Sequence, residues 1–346
     1  MSLLSPPAEE QSQTRTGSSR LDAVLRFREL GLVLALVALV AVTTSANSRF
    51  LSQQSIRDVL LATAITLLLA CGMTMVVLTK GIDLSVGSVL GLSAFGTATL
   101  LSEYPSLPWP VAGLVGVALG AACGAVNGVV IAYGRVPALV ATLGTLYVFR
   151  GIVYFWAGGS RVNAGDLPRD FLDFGTGRLL GVPYLFLIGV LVVLVVGQYL
   201  GRYRGGRDLY AIGSSEDAAR LAGVAINRRL LQVYVASGAL AGLGGVLHAA
   251  RYGTVDASAG SGLELNVVAA VVVGGVAIFG GSGTVYGAAL GALLLTVINN
   301  ALPVLGIDQF WQRAIVGALI IAAIALDRLV AVRVGRSLRR KDSHVG

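Results

Sequence analysis

Few residues in this chain have the types and spacing for covalent chemistry. His248, Arg251 and Asp256 are the one closely spaced titratable set with the makings of a catalytic cluster, and their place at the end of an apolar run assigns them to an outer loop. A phosphate-binding P-loop needs Gly-Lys followed by Ser or Thr. The only lysines are Lys80, after Thr79, and Lys341, after Arg340, so the chain cannot hydrolyse ATP by that route. Neither Gly-x-Ser-x-Gly nor His-Glu-x-x-His occurs. Cys71 and Cys123 both fall inside apolar runs and read as small buried hydrophobes, not as disulfide partners or metal ligands. The expectation is a protein that is not an enzyme, with no metal site and no cofactor of its own.

Binding chemistry remains. Asn127, Asn266, Asn299 and Asn300, with Tyr154, Trp156 and Trp311, lie within or beside apolar runs. Amides and ring faces suit a neutral polyhydroxylated solute, whose hydroxyls take donors and acceptors while its C–H faces take apolar surface. The same groups also serve as hydrogen bonds between membrane helices and as interfacial aromatic belts, so both readings stand. Asp83 falls where a helix should begin, which favours capping by a carboxylate at the positive end of the dipole over a gating role. A mid-span relay of Asp, Glu and His, as a proton-driven carrier would use, is missing.

The elements that position these residues follow from composition. Of 346 residues, 55% are hydrophobic and 13% charged, against about 25% charged in an ordinary soluble domain. That makes an all-α integral membrane protein. Uncharged stretches at 30–47, 59–79, 84–102, 104–134, 179–201 and 230–250 each approach or exceed the length that crosses a bilayer. Residues 265–307 are uncharged for 43 positions, about 65 Å as a helix, twice the roughly 30 Å hydrocarbon core. The chain must turn back there, and Gly-Gly-Ser-Gly-Thr at 280–284 is the place. Weaker spans at 136–156 and 309–326 hold Arg150 and Arg313. With Thr79 to Asp83 as a tight hairpin, the total is about ten spans, some broken or re-entrant, running over 29–329. A disordered tail precedes them at 1–28 and a basic tail follows at 330–346. The first apolar run lacks an A-x-A cleavage site and reads as a retained signal anchor.

Basic residues orient the chain. Arg15, Arg20, Arg26 and Arg28 precede the first span, Lys80 and Arg135 sit in inner loops, and the loop at 201–229 carries Arg202, Arg204, Arg207, Arg220, Arg228 and Arg229. Both termini are therefore expected in the cytoplasm, with Arg49 and Arg57 the exceptions on the outer side. The net charge of +8 is read as topology and not as nucleic-acid binding, because the cations are dispersed by loop. Arg150 and Arg161, on the outward half, either meet acidic groups of a partner or snorkel to lipid phosphates.

Within the 201–229 loop, Ser214 or Ser215 is an N-cap, Ser214 and Asp217 have capping-box spacing, and Gly223 is a C-terminal cap. A short helix is predicted between them, with Ala218, Ala219, Leu221 and Ala222 as an exposed apolar knob for a soluble partner. A faint internal repeat links 81–91 with 280–291, placing Gly87/Gly91 and Gly287/Gly291 in equivalent positions. Repeated halves are common in transporters, and small residues at this spacing also let helices pack closely.

Tyr-Ala-Ile-Gly-Ser-Ser-Glu-Asp-Ala-Ala-Arg-Leu-Ala-Gly-Val at 210–224 resembles the cytoplasmic coupling segment of bacterial ATP-binding cassette (ABC) permeases that import monosaccharides, the ribose, xylose, arabinose, galactose and rhamnose group with the furanosyl autoinducer importers. The stretches at 81–94, 126–152 and 260–294 agree, and the resemblance covers about 30–329. One departure is Ser214-Ser215 where the family often has Gly-Asn or Asp-Asn. The resemblance implies a permease subunit in the bacterial inner membrane, paired with an identical or paralogous second permease chain. It further implies cytoplasmic ATPase subunits that hold ATP and Mg, and an extracytoplasmic sugar-binding protein. Ser214, Ser215, Glu216, Asp217, Ala218, Ala219, Arg220, Leu221 and Gly223 would couple to the ATPase. Candidate pathway residues are Asp83, Asn127, Thr142, Thr145, Tyr154, Asn266, Asn299, Asn300 and Trp311. The alternative is an ion-coupled secondary carrier or passive channel for a small neutral solute.

Overall fold

Long apolar runs in hydrocarbon have one way to satisfy every backbone N–H and C=O locally, the α-helix. The computed structural model describes residues 29–308 and scattered positions between 310 and 321. It contains α1 (Glu29–Ala46), α2 (Gln53–Leu78), α3 (Val86–Glu103), α4 (Trp109–Ala132), α5 (Ala138–Ala157), α6 (Arg169–Thr176), α7 (Tyr184–Arg202), α8 (Arg204–Ser214), α9 (Glu216–Leu221), α10 (Ile226–Tyr252), α11 (Leu263–Val273) and α12 (Val285–Val304). A two-residue antiparallel ribbon of β1 (Arg178–Leu179) and β2 (Val182–Pro183) precedes α7. Prolines punctuate the helix starts: Pro108 precedes α4, Pro137 precedes α5 and Pro183 precedes α7, each with the extended ψ that cannot continue a helix backwards. Gly158 closes α5 in the left-handed region.

Seven described helices are long and apolar enough to cross a bilayer: α1, α2, α4, α5, α7, α10 and α12. α3 has span length but is diluted by Ser, Thr and Gly. α11 differs from the span expected there. It has 11 residues, about 16 Å at 1.5 Å per residue, half of what a crossing needs. The chain at 253–262 between α10 and α11 is not helical, so α11 is the second half of a broken element. The turn expected at 280–284 is present, with Gly280, Gly281 and Gly283 all at positive φ. The basic tail, the N-terminal tail and most of the last span at 309–326 lie outside the described residues.

The bundle is organised around α10, which packs against α4, α3 and α2. Its closest seam is with α4, where Gly116, Gly120, Gly124 and Gly128 recur every fourth residue, Gly120 and Gly124 against Gly238 and Gly242 and the outer two against Val246 and Leu231. A Cβ on Gly124 would overlap the Tyr234 carbonyl and one on Gly238 the Gly120 carbonyl, so the two backbones touch. α2 is buried nearly all round from Leu61 to Leu78, which makes it a core helix. The outer surfaces of α4, α5 and α7 carry exposed Leu114, Val140, Val148 and Leu191. Between the inner hairpins, Gly281 donates its N–H to the Leu78 carbonyl (3.0 Å).

Candidate functional site

The paired glycines of the internal repeat serve packing. Gly87 and Gly91 lie against the Gly260 and Ala259 carbonyls, while Gly287 and Gly291 lie against the Gly274 and Ala270 carbonyls. The space for chemistry is elsewhere, in three places.

The first is a buried polar network. Asp83, 1% exposed, accepts from the Ser85 N–H (3.0 Å) and hydroxyl (2.6 Å) through one carboxylate oxygen, and from the Ser237 hydroxyl (3.1 Å) through the other. Ser85 Oγ in turn accepts from Asn127 Nδ2 (2.8 Å), and Asn127 Oδ1 accepts from the Thr145 hydroxyl (2.6 Å). Thr142 Oγ1 reaches the Ile82 (3.0 Å) and Ala138 (2.8 Å) carbonyls, donating to one at a time. Four of the pathway candidates, Asp83, Asn127, Thr142 and Thr145, are thus brought together. Every proton in the chain points towards Asp83, the arrangement a carboxylate acceptor requires. Asp83 stands at the start of α3, as expected, its Oδ1 taking the backbone N–H of Ser85 immediately before Val86, and through Oδ2 it also ties the 79–85 turn to α10. Asn127 lies five residues, about 8 Å, from the end of α4, so the network sits inside the bundle and not at its rim. Ser85 and Ser237 escaped the sequence reading, since single hydroxyls in apolar runs carry no spacing signal. Asn127→Leu should cost about 1–3 kcal/mol by removing the donor to Ser85 Oγ and the short acceptor of the Thr145 hydroxyl, which is left with the Thr142 carbonyl at 3.3 Å. An SDS-unfolding titration of the purified chain measures it, and an unchanged midpoint would count against the network.

The second place is a cavity of about 310 Å³ among α2, α10, α12 and the broken segment. Asn266, Asn299 and Asn300 all line it, together with His248, Arg251 and Ser261. Asn299 Oδ1 is buried without a hydrogen-bond partner among the described residues, and Asn300 Nδ2 donates to the Thr296 carbonyl (2.8 Å). His248 and Arg251, assigned from sequence to an outer loop, are in α10, with the Arg251 guanidinium 4.7 Å from the centre of the Tyr252 ring. Asp256 is in the loop after α10. There Ser258 donates to it from its N–H (2.7 Å) and its hydroxyl (2.6 Å). Tyr154, 53% exposed, and Trp311, 64% exposed, join neither the network nor the cavity. Arg150 meets neither of its expectations. Its Nη1 turns inward to the Ala257 (3.0 Å) and Ala259 (2.7 Å) carbonyls and pins the broken segment, a partner more than a hundred residues away that no local pattern reveals.

The third place is the face carrying α9. Ser215 is its N-cap, accepting from the Ala218 N–H (3.3 Å), while Ser214 ends α8 and donates to the Tyr210 carbonyl (2.9 Å), so the Ser214–Asp217 capping box does not form. Gly223, at φ +79°, ends the helix with two bonds, Gly223 N–H to Arg220 C=O and Val224 N–H to Ala219 C=O, both 3.0 Å. Glu216 and Arg220 pair across one turn at 2.8 Å, both exposed. Asp217, Ala218 and Leu221 also face outward. Ala219 does not: it is 3% exposed, packed with Ile212 and Ile226, so the knob expected from sequence consists of Ala218, Leu221 and Ala222. α8 rests on the 280–284 turn through Tyr210 Oη, which donates to Gly283 C=O (3.0 Å). Arg229 anchors the far end on Asp208 at 2.8 Å. A cleft of about 890 Å³ opens between α9 and the 131–137 turn, lined by Arg135, Glu216, Arg220 and Arg228.

A bundle of apolar spans with a buried polar network inside it and a short polar helix held on one face is the architecture of a multi-pass membrane protein. The chain belongs to the family described as branched-chain amino acid transport system / permease component, whose model matches residues 55–324. It is 38% identical over 307 residues to the autoinducer 2 import system permease protein LsrC of Enterobacter sp. (strain 638), covering 89% of this chain and 88% of that one. It is 39% identical over 298 residues to the ribose import permease protein RbsC of Escherichia coli (strain K12), covering 85% and 92%. To the LsrC protein of Klebsiella pneumoniae it is 36% identical over 307 residues, covering 89% and 88%. No solved structure matches the chain.

Proposed function

We propose that this chain is the membrane-spanning subunit of an ABC importer that brings a monosaccharide, or the furanosyl autoinducer, into the cytoplasm. The observation that carries the reading is α9. A six-residue helix, capped at both ends and braced from beneath by α8, presents Leu221 at 91% exposure among Glu216, Asp217 and Arg220. An apolar side chain held out rigidly among charges suits a groove on a soluble partner. The partner is the ATPase subunit, on which ATP and Mg are held; closure of an ATPase pair pulls on α9. Through α8 and the 280–284 turn, that pull reaches Leu78 and the Asp83 network, where α2, α3, α4, α5 and α10 meet. A second permease chain completes the pathway, and an extracytoplasmic binding protein delivers solute. The solute class is supported by the relatives named for ribose and autoinducer 2 import.

The chain, expressed with its partners and purified in lipid, is expected to bring an ATPase with it, and ATP hydrolysis is expected to rise several-fold with one sugar-loaded binding protein. Should no ATPase copurify while solute still crosses, an ion-coupled or passive pathway takes its place.

A further inference from the structure

Backbone that is neither helix nor closed sheet is costly in hydrocarbon unless it is buried in protein or lines a cavity. Residues 253–262 are such backbone, and the cavity of about 310 Å³ lies against them, walled also by Ile65 and Thr66 of α2. Thr66 is 13 residues into α2, about 20 Å along it, so the cavity reaches well into the membrane. One polar atom on its lining, Asn299 Oδ1, is buried without a hydrogen-bond partner among the described residues, and Asn266 and the Arg251 guanidinium, set against the Tyr252 ring, share that lining. A buried amide oxygen left unpaired costs about 1–3 kcal/mol. Its natural complement is a hydroxyl from a guest.

We infer that this cavity is a holding site, within one protomer, for a single neutral monocyclic polyhydroxylated solute. The inference rests on the importer reading above and gives that importer a resting place for its cargo. Size limits the guest to one ring, since about 300 Å³ is the lower end of the range for small-molecule sites. The lining divides as a sugar divides. Asn266, Asn299 and Arg251 supply donors and acceptors for hydroxyls, while Ile65, Leu263 and the Tyr252 ring offer apolar surface to C–H faces. Charge favours a neutral guest. Arg251 is the single guanidinium on the lining, and its face is already set against the Tyr252 ring. The carboxylates of Asp256 and Glu264 are off the lining, hydrogen-bonded to Ser258 and to the Gly262 N–H.

The test places a reporter thiol at Ser261, an exposed position on the lining, as Ser261→Cys in the full complex in nanodiscs; Cys71 and Cys123 are buried and give little background. Labelling by a membrane-impermeant maleimide is followed with D-ribose, D-xylose, L-arabinose, D-galactose, L-rhamnose or autoinducer 2 present, and with D-ribose 5-phosphate as the anionic probe. At least one neutral solute is expected to slow labelling fivefold or more, the phosphate is not, and Arg251→Lys or Asn299→Leu should each abolish the protection. Should Asn299→Leu misassemble, Arg251→Lys, which keeps the charge and loses the planar fork, decides alone. Protection by the phosphate alone, or protection indifferent to these variants, overturns the inference. So does no protection in a complex whose ATPase still responds to loaded binding protein, an outcome that leaves the importer reading standing. A missing ATPase would instead remove the importer reading, and labelling would still report on the cavity.

Discussion

Leu221→Asp is expected to lower solute uptake by the assembled importer at least tenfold while the permease itself stays folded. The side chain is 91% exposed, so the chain alone loses almost nothing when it changes. In a partner's groove the balance differs. Burying a leucine contributes about 1.5–3 kcal/mol, and an aspartate in its place brings an unpaired charge into an apolar site. Since every 1.4 kcal/mol is about tenfold in an equilibrium, association with the ATPase should weaken by one to two orders of magnitude. Pull-down of the ATPase by the variant, beside uptake in proteoliposomes, measures both. Ala219→Asp serves as the contrast: Ala219 is packed with Ile212 and Ile226, so that change should disrupt the loop itself and show as proteolysis between α8 and α10. Wild-type pull-down and uptake in Leu221→Asp would remove α9 as the docking element.

Gly124→Val is expected to abolish recovery of monodisperse protein. A Cβ there would overlap the Tyr234 carbonyl and crowd Gly238 Cα, both backbone atoms of the central helix, with no rotamer available to retreat. α4 and α10 would have to part along their whole seam, and α3 and α2 pack on the same α10. Gly238→Val should do the same from the other side, against Gly120 and Gly124. Gly201→Ala, where the added methyl meets nothing within 4 Å, should be neutral or slightly stabilising, as alanine in a helix is favoured over glycine by up to about 1 kcal/mol. Size-exclusion profiles of the three variants in detergent distinguish the seam from a general intolerance of glycine replacement; a sharp wild-type peak for Gly124→Val would refute the seam.

Much of this was legible before any coordinates. A 43-residue uncharged run is too long to cross a roughly 30 Å core only once, so a fold-back followed from length, and Gly-Gly-Ser-Gly-Thr placed it at 280–284. The ends of α9 were legible to within a residue, because Ser214 or Ser215 and Gly223 have local roles that sequence displays; the choice of Ser215 over Ser214 was not. Which face of α9 is buried was not, since six residues make too short a helix for an apolar stripe to stand out. The four-residue spacing of Gly116, Gly120, Gly124 and Gly128 was present in the sequence, but its partner, more than a hundred residues later, was not marked. The same distance hid Arg150, whose acceptors are backbone carbonyls of no particular residue type. The shortness of α11 was hidden in an apolar run, where hydropathy looks alike for a full helix and a half helix. For the site, the amides stood out in sequence as polar groups inside apolar runs. That signal did not separate Asn127, a member of a satisfied network, from Asn299, whose oxygen faces no partner, because satisfaction is a property of neighbours.

The meeting of the two inner hairpins is made of main chain. Gly281 bonds the Leu78 carbonyl, Gly213 sits against both, and Tyr210 reaches the neighbouring Gly283 carbonyl. The joint has little slack at Gly213, where backbone meets the Leu78 carbonyl and Gly281 directly with no side chain between them to flex and absorb a displacement. Motion imposed on α8 passes to the end of α2 nearly undiminished, as in a linkage with short rigid pins. Its stiffness is therefore set by the absence of Cβ atoms, and lengthening the linkage by even one methyl at Gly213 would jam it.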